Sequence, residues 1–251
     1  LEVADKLRSS LLRCYYQDLQ ALRRRLTFAG ISELLTAIAL KVRHDSYLSY
    51  SQLIADLQQV SKKLSTQYHG LFVNLVQDLI KKINLFHFYF AKIDIRQNSS
   101  IHRQVVADIL RSTSLCPDYL KLAEDEKIKL LSASIDNQGL SNGNYTALAL
   151  EVIATLQAVQ TIQAKNGLES IERYVISNTD SVASILEVLW LAQIVNNDLA
   201  NQPALRLEIV PLFETIDDLQ NSTTIMEELF NLPCYQNNLQ QLNNQQTIML
   251  G

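Results

Sequence analysis

Residues 210–219 read Val-Pro-Leu-Phe-Glu-Thr-Ile-Asp-Asp-Leu, an apolar run that stops abruptly at a carboxylate. We interpret Leu205 to Phe213 as a buried strand that delivers Glu214 to its C-terminal end. Successive side chains of a strand point to opposite faces, so the odd positions from 205 to 213 form one uniformly apolar face. Glu208 and Glu214 lie on the other face. This alternation predicts a strand that packs one face under helices and presents a carboxylate at its end.

A second stretch repeats this design earlier in the chain. Residues from Phe88 to Arg96 are mostly apolar and end in Asp94 and Arg96, before the polar residues 97–100. Asp94 and Arg96 share one strand face because they are two positions apart. In β/α barrels the outer strand faces pack under helices, and reactive groups come from the C-terminal ends of several strands. Two strands that both end in charged residues therefore predict one shared site.

The rest of the chain predicts a helix-dominated α/β fold. Apolar residues recur at helical spacing in four segments before the first strand, from Val3 to Leu26, from Ser32 to Val42, from about Ser49, and after Gly70. Further strands are predicted at 173–178 and 247–251, with helices between the strands. Because alternating strands and helices are typical of a parallel sheet, we expect a partial parallel β/α (TIM-like) barrel with about four short strands and long helices.

The domain prediction is one domain over residues 1–251, with a helical portion at 1–85 and the partial barrel at 86–251. Within it, a helix is predicted from Asn221 to Leu232. Loops are predicted at residues 136–144 and in the Asn- and Gln-rich residues 236–246. No composition change inside the chain resembles a linker between domains.

Composition excludes some function classes. The formal net charge is −4, which does not suggest a nucleic-acid partner. The sequence contains no run of about 18 apolar residues, so no membrane span is predicted. Three widely separated cysteines, Cys14, Cys116 and Cys234, are typical of reduced thiols in a cytoplasmic protein, and we expect them to be buried. Residues 1–111 hold 16 Lys or Arg against 9 Asp or Glu, and residues 112–251 hold 6 against 17. This asymmetry favours attraction within one fold over a docking surface.

Neither the histidines nor the common catalytic motifs identify a functional site in this sequence. The sequence contains no GxGxxG, GxxxxGK[ST], HExxH, CxxC or GxSxG motif. His44, His69, His87 and His102 have no metal-ligand spacing, and we expect each to be structural. His102, six residues after Arg96, is the one that could act at the site.

Arg96 and Glu214 are the candidate site residues. Asp94 and Arg96 could form an ion pair that closes a core, or Arg96 could present its guanidinium to a carboxylate or phosphate, which it binds bidentately. Glu214 could be a carboxylate at a helix N-terminus, where Asp217 also favours the helix dipole. A carboxylate at the end of a buried strand is costly to desolvate without a cation, so Mg²⁺ is a reasonable partner for Glu214.

Four motifs, in the same order, resemble those of the phosphoenolpyruvate carboxylase family. Residues 93–102, IDIRQNSSIH, resemble the LDIRQES..H motif, and residues 210–219 resemble VPLFETLDDL. Residues 171–177 look like the YIIS strand of that family, and residues 247–251 look like the start of its MxGYSDS segment. The resemblance covers roughly residues 68 to 251. It departs from the family pattern at Asn98, where the family has Glu, and at Asn178, where it usually has Met.

The resemblance implies a metal-dependent carboxylation of phosphoenolpyruvate by bicarbonate, which gives oxaloacetate for the tricarboxylic acid cycle and phosphate. It implies that Glu214 binds Mg²⁺ or Mn²⁺ and that Arg96 is a catalytic, substrate-binding residue. It also implies a cytoplasmic lyase that is usually a tetramer when full-length. The second metal carboxylate, the histidine motif and the glycine- and arginine-rich loop of the family lie outside the sequence. We therefore expect a central fragment that is inactive alone.

Two other function classes stay open. One is a non-catalytic helical scaffold or interaction module, and the other is a different β/α barrel that uses phosphoenolpyruvate or a keto acid. The carboxylase hypothesis requires Arg96 and Glu214 at the same end of adjacent or near-adjacent parallel strands. Placement on opposite faces of the sheet would exclude it.

Overall fold

The structure is a computed structural model that describes residues 1–133, 143–199 and 201–251. The chain divides into two compact units, each with its own apolar core. Unit 1 comprises Leu1–Lys92 with Lys165–Ser170, and unit 2 comprises Ile93–Ala164 with Ile171–Gly251. The single-domain prediction remains untested. The predicted loop at 136–144 lies outside the described residues, apart from residues 143 and 144.

Unit 1 is built from four helices, α1 (Glu2–Arg25), α2 (Ile31–Arg43), α3 (Tyr50–Gln67) and α4 (Val73–Phe86). Each helix contributes a stripe of buried aliphatic residues to one core, for example Leu19, Leu35, Leu57 and Leu79. The predicted periodicity of all four helices is therefore confirmed.

The N-termini of two of these helices show how local sequence sets their bounds. Ser49 caps α3, because its side chain accepts a hydrogen bond from the Gln52 N–H, as its residue type predicts. Helix α2 begins at Ile31, one residue before the predicted segment from Ser32, and Gly30 is its N-cap. Gly30 has a φ of 73°, a left-handed conformation that glycine adopts without the penalty of a Cβ.

The first strand begins later than the apolar run from Phe88 to Arg96 predicts. Phe88 is fully buried in the core of unit 1, where the guanidinium carbon of Arg8 lies 4.6 Å from the centre of its ring. His87 and Phe90 have φ values of 48° and 72°, which no strand accommodates. The apolar residues at the start of this run therefore belong to the helical core, and the strand begins only at Asp94.

Unit 2 alternates strands with helices. In chain order its elements are β1 (Asp94–Asn98), α5 (Ser99–Ser112), α6 (Glu124–Ala133), α7 (Ala147–Asn166, whose last two residues group with unit 1), β2 (Arg173–Ser177), α8 (Val182–Asp198), β3 (Glu208–Phe213), α9 (Ile216–Phe230), α10 (Pro233–Gln241) and β4 (Met249–Leu250). A 3-10 turn at Tyr119–Lys121 precedes α6. The described elements thus form the helix-dominated α/β fold that the sequence predicts.

The four strands form one parallel sheet in the order β1-β2-β3-β4. Arg96 pairs with Val175, and Val175 pairs with Val210, so these three residues lie side by side across the sheet. At the far edge Leu212 pairs with Met249. Chain order and spatial order therefore agree, as in a β/α barrel, but closure into a barrel remains a prediction.

The two faces of the sheet differ as the alternation predicts. Tyr174, Ile176, Ile209 and Phe213 point into the apolar core of unit 2, which also includes the fully buried Trp190 of α8. The opposite face carries the charged residues Asp94, Arg96, Arg173 and Glu208. Helices thus cover one face of the sheet, and the charged side chains lie on the other face.

Two helix predictions and one burial prediction are wrong. Helix α9 begins at Ile216 instead of Asn221, because Thr215 and Asp218 form a capping box in which each side chain accepts from the backbone N–H of the other. Residues 236–241 belong to α10, although a loop was predicted at 236–246; Pro233 suits the first turn of this helix because it needs no N–H donor there. Cys14 is exposed, contrary to the expected burial of all three thiols.

Helix α7 is, among the described residues, long and apolar enough to cross a membrane by length and composition alone. A core helix of a globular protein meets the same criterion. Here 39% of its most apolar window is buried, and the buried Gln163 side chain donates 2.6 Å hydrogen bonds to the carbonyls of Ile171 and Arg206. These polar contacts with the chain that enters β2 and β3 favour a core helix.

Candidate functional site

The two predicted site residues lie on the same face of the sheet, Arg96 in the middle of β1 and Glu214 directly after the C-terminal end of β3. Arg96 of β1 lies level with Val210 of β3, with β2 between them. Glu214 comes four residues after Val210 and directly follows the last residue of β3. Because strand side chains alternate, Glu214 continues the face that carries Arg96.

The backbone positions of Arg96 and Glu214 are roughly 16 Å apart, by standard strand dimensions. Two strand spacings place them about 10 Å apart across the sheet, and four residues place Glu214 about 13 Å further along. Arg96 is exposed, and among the described residues its guanidinium has no carboxylate within 4.0 Å. The alternative ion pair of Asp94 with Arg96 is therefore not formed, and the guanidinium is available to an external anion.

The turn that follows β2 orients Glu214. The backbone N–H of Asn178 donates a 3.1 Å hydrogen bond to Glu214 Oε1. At Gly251 a Cβ would lie 3.2 Å from the Cβ of Glu214, so the absence of a side chain lets the backbone of Gly251 approach Glu214 closely. Glu214 Oε2 has no partner among the described residues and is exposed.

A divalent cation fits Glu214 as one ligand of a larger set. Mg²⁺ prefers carboxylate oxygens and commonly keeps several waters, so one or two protein carboxylates suffice. The described part of the chain contains no group of three or more His, Cys, Asp or Glu side chains that could hold a metal. A complete protein cage is therefore not formed there, and Glu214 offers a single oxygen ligand.

Further toward the N-terminal end of the same face, Arg173 and Glu208 form an ion pair that the sequence analysis did not identify. Arg173 Nε lies 2.9 Å from Glu208 Oε2, and Glu208 Oε1 accepts a 2.6 Å hydrogen bond from the Thr247 N–H. Burial works to raise the pKa of Glu208, but the bonds from Thr247 and Arg173 outweigh it and lower that pKa. These contacts join β2, β3 and the segment that enters β4.

His102 belongs to the core instead of the site. Its side chain is fully buried, and Nε2 lies 2.9 Å from the hydroxyl of Tyr174, which points to the helix-covered face of the sheet. Burial lowers the pKa of His102 to about 4, so the ring is neutral at physiological pH. His102 is therefore structural, as predicted for the histidines in general.

A partly buried polar cluster adjoins the turn after β2 and was not predicted. It comprises Arg103 of α5, Asp180 of that turn, Glu187 of α8 and the Tyr119 hydroxyl, which donates a 2.8 Å hydrogen bond to Glu187 Oε1. Burial raises the pKa of Glu187 to about 7. A signal was present in the sequence, because Glu187 is a lone charge in the middle of the apolar run from 182 to 195.

Comparison with known proteins gives a consistent result. The family model described as phosphoenolpyruvate carboxylase matches residues 3–251. A phosphoenolpyruvate carboxylase of Mycobacterium leprae (strain TN) is 33% identical over 211 residues, which is 82% of this chain and 23% of the relative. A phosphoenolpyruvate carboxylase of Burkholderia mallei (strain SAVP1) is 33% identical over 224 residues, 85% of this chain and 22% of the relative. The chain thus spans less than a quarter of the length of these relatives.

Proposed function

This chain belongs to the phosphoenolpyruvate carboxylase family, and we propose that it forms the central part of an enzyme that converts phosphoenolpyruvate and bicarbonate into oxaloacetate and phosphate. The observation that carries the proposal is that Arg96 and Glu214 lie on one face of the parallel sheet, on two strands separated only by β2, with Glu214 at the C-terminal end of β3. The carboxylase hypothesis requires both residues at one end of near-adjacent strands, and the shared face supports it.

Arg96 binds the anionic groups of the substrate. Its guanidinium is charged at every working pH and matches the geometry of a carboxylate or phosphate with two parallel N–H donors. The exposed side chain has no competing carboxylate among the described residues, which supports this role. As the phosphoryl group passes from phosphoenolpyruvate to bicarbonate and an enolate forms, the positive charge of the guanidinium stabilises the developing negative charge.

Glu214 contributes a carboxylate oxygen to a bound Mg²⁺ or Mn²⁺. When bound, the ion supplies Lewis-acid stabilisation of negative charge, on the order of several kcal/mol. The N–H of Asn178 holds Oε1 and leaves Oε2 open, so the carboxylate is oriented before a cation arrives. Preorientation of this kind lowers the cost of binding, because the side chain has already lost its rotational freedom.

The remaining parts of the proposal concern the longer protein. We propose that β1 to β4 contribute four consecutive strands of a TIM-like β/α barrel, which the agreement between chain order and sheet order supports. We further propose a cytoplasmic enzyme that is a tetramer when full-length. Residues 1–251 alone are proposed to be inactive, because one metal carboxylate and one arginine do not make a complete site.

The test is an assay of oxaloacetate formation by the full-length protein, with and without bicarbonate and Mg²⁺. Wild-type protein should require both, and Glu214→Ala should lose activity by at least about two orders of magnitude. Glu227→Gln is the matched control, because Glu227 is an exposed carboxylate on α9. Activity that Glu214→Ala leaves intact would exclude the proposed site.

The same assay separates the alternatives. Consumption of phosphoenolpyruvate without a need for bicarbonate would indicate a different β/α barrel enzyme. A full-length protein with no turnover of phosphoenolpyruvate would favour a scaffold or interaction module.

A further inference from the structure

We propose that Arg103 is a positioning residue for Glu214, because it clamps the turn whose backbone N–H holds the Glu214 carboxylate. The inference rests on the proposed role of Glu214 as a metal ligand. Arg103 lies on α5 and does not contact Glu214. Its effect passes through Asp180 and the backbone of residues 178–180.

Helix α5 grips this turn at two points. Ser99 Oγ donates a 2.6 Å hydrogen bond to the carbonyl of Asn178, and Arg103 Nη2 donates a 2.8 Å hydrogen bond to Asp180 Oδ1. Ser99 and Arg103 are four residues apart, so they lie on the same face of the helix, one turn from each other. Both ends of the three-residue turn are therefore fixed to one rigid element.

The turn is also tied to its own neighbours. Asp180 Oδ1 accepts a 2.7 Å hydrogen bond from Ser184 Oγ, and Arg103 Nη2 lies 3.2 Å from the same Ser184 oxygen. The Thr179 hydroxyl donates a 2.9 Å hydrogen bond to the carbonyl of Ile176. Asp180 therefore links the turn to the first residues of α8. Arg103, from α5, contacts both Asp180 and Ser184.

Arg103 is itself held in place by buried groups. Its Nε lies 3.8 Å from Oε1 of Glu187, whose side chain is fully buried and accepts a hydrogen bond from Tyr119. Arg103 is only 28% exposed, so its interactions are screened less than those of a surface pair. A guanidinium fixed in this way keeps Asp180 in one position.

Loss of the clamp would be transmitted to Glu214 through the backbone. Asn178 has a φ of 56°, in the left-handed region, which is uncommon for a residue other than glycine and which the contacts of the turn help to hold. Without Arg103, Asp180 loses its charged partner and the turn can relax, so the N–H of Asn178 no longer points at Oε1. Groups that orient a metal ligand typically change metal affinity by about 10- to 100-fold.

The experiment measures Mn²⁺ binding to the full-length protein by electron paramagnetic resonance of the free ion, which needs no turnover. Arg103→Met should weaken Mn²⁺ binding about tenfold, the low end of the range for such groups because Arg103 acts through Asp180. Arg111→Met is the matched control. Arg111 lies on the same helix, α5, and its ion pair is with Asp108, not with a residue of the turn. Arg103→Lys keeps a cation for Asp180 and should recover part of the affinity.

Two further variants make every outcome decisive. Asp180→Asn removes the carboxylate that Arg103 binds and should reproduce the loss of Mn²⁺ affinity. If Arg103→Met does not fold, this variant tests the proposal in its place. Glu214→Gln tests the role on which the inference rests, and wild-type affinity in that variant would overturn both proposals. If Glu214→Gln loses Mn²⁺ while Arg103→Met and Asp180→Asn bind it as Arg111→Met does, only the positioning role is overturned.

Thermal unfolding of the same variants separates positioning from mere stabilisation. A purely structural Arg103 would lower Tm and leave the Mn²⁺ affinity of the folded protein unchanged, which would overturn the proposal. Weaker Mn²⁺ binding at a temperature where Arg103→Met is still folded supports it.

Discussion

The backbone N–H of Asn178 donates a 3.1 Å hydrogen bond to Oε1 of Glu214, and so joins the turn after β2 to the end of β3. The donor is a main-chain group, so no side-chain substitution removes it directly. Its direction depends on the left-handed conformation of Asn178, with φ of 56°. The orientation of the Glu214 carboxylate therefore depends on a residue at position 178 that can adopt this left-handed conformation.

A first prediction follows from that conformation. Asn178→Val should raise the Mg²⁺ concentration needed for half-maximal carboxylation about tenfold, since a β-branched residue strains the left-handed region by roughly 1–2 kcal/mol and shifts the turn. Asn178→Gly should stay within about twofold of wild type, because glycine adopts this conformation freely. Equal Mg²⁺ requirements in both variants would contradict the role of the turn.

A second prediction concerns Arg96. Arg96→Lys keeps the charge but replaces two parallel donors with a point charge, so it should lose about 1.5–3 kcal/mol of substrate binding and raise KM for phosphoenolpyruvate about tenfold or more. Arg206→Lys is the control, because Arg206 is an exposed arginine that precedes β3. An unchanged KM in Arg96→Lys would show that the substrate binds elsewhere.

A third prediction concerns the buried Glu187. Burial raises its pKa from 4.5 to about 7, so the native state holds a proton that the unfolded state releases. The contribution of Glu187 to stability is complete below pH 4.5 and falls by up to about 3 kcal/mol as pH rises through 7. The Tm of Glu187→Gln relative to wild type should therefore rise between pH 5 and pH 8. Glu227→Gln, at an exposed site, should show no such trend.

His102 gives a fourth prediction with the opposite dependence on pH. Burial lowers its pKa from 6.5 to about 4, so its contribution is complete above pH 6.5 and falls as pH drops toward 4. His102→Gln should be less stable than wild type at pH 7.5, because the 2.9 Å contact with Tyr174 is disturbed. The deficit in Tm should shrink toward pH 5. His44→Gln, at an exposed position, is the control for the substitution itself.

Much of the fold could be predicted from local patterns. The period of 3.6 residues predicts α1 to α4, and capping side chains such as Ser49 and Ser181 mark helix starts. The alternation from Leu205 to Phe213 predicts which strand face is apolar and places Glu214 at the strand end. These signals act within a few residues, so a single sequence carries them in full.

Other local predictions failed where a distant partner decides the outcome. The apolar run that begins at Phe88 fits a strand by composition, but its first residue fills the helical core under Arg8, eighty positions earlier in the chain. Asp94 and Arg96 share a strand face, yet they form no ion pair, and the pKa of Arg173 is raised chiefly by Glu208 and to a smaller extent by Asp94. Burial and pairing of this kind depend on contacts that spacing does not encode.

The sequence by itself determined most of the helices, the central part of each strand, the charged strand ends and the resemblance to a family, because propensity, periodicity and motifs are properties of neighbouring residues. Only the tertiary structure decided that β2 separates Arg96 from Glu214, and that Arg103 clamps Asp180, which is 77 positions away. Such pairs depend on strand order and register, and the local sequence patterns are compatible with many different orders and registers. The folded chain selects one of them by burying its apolar face and pairing its buried charges.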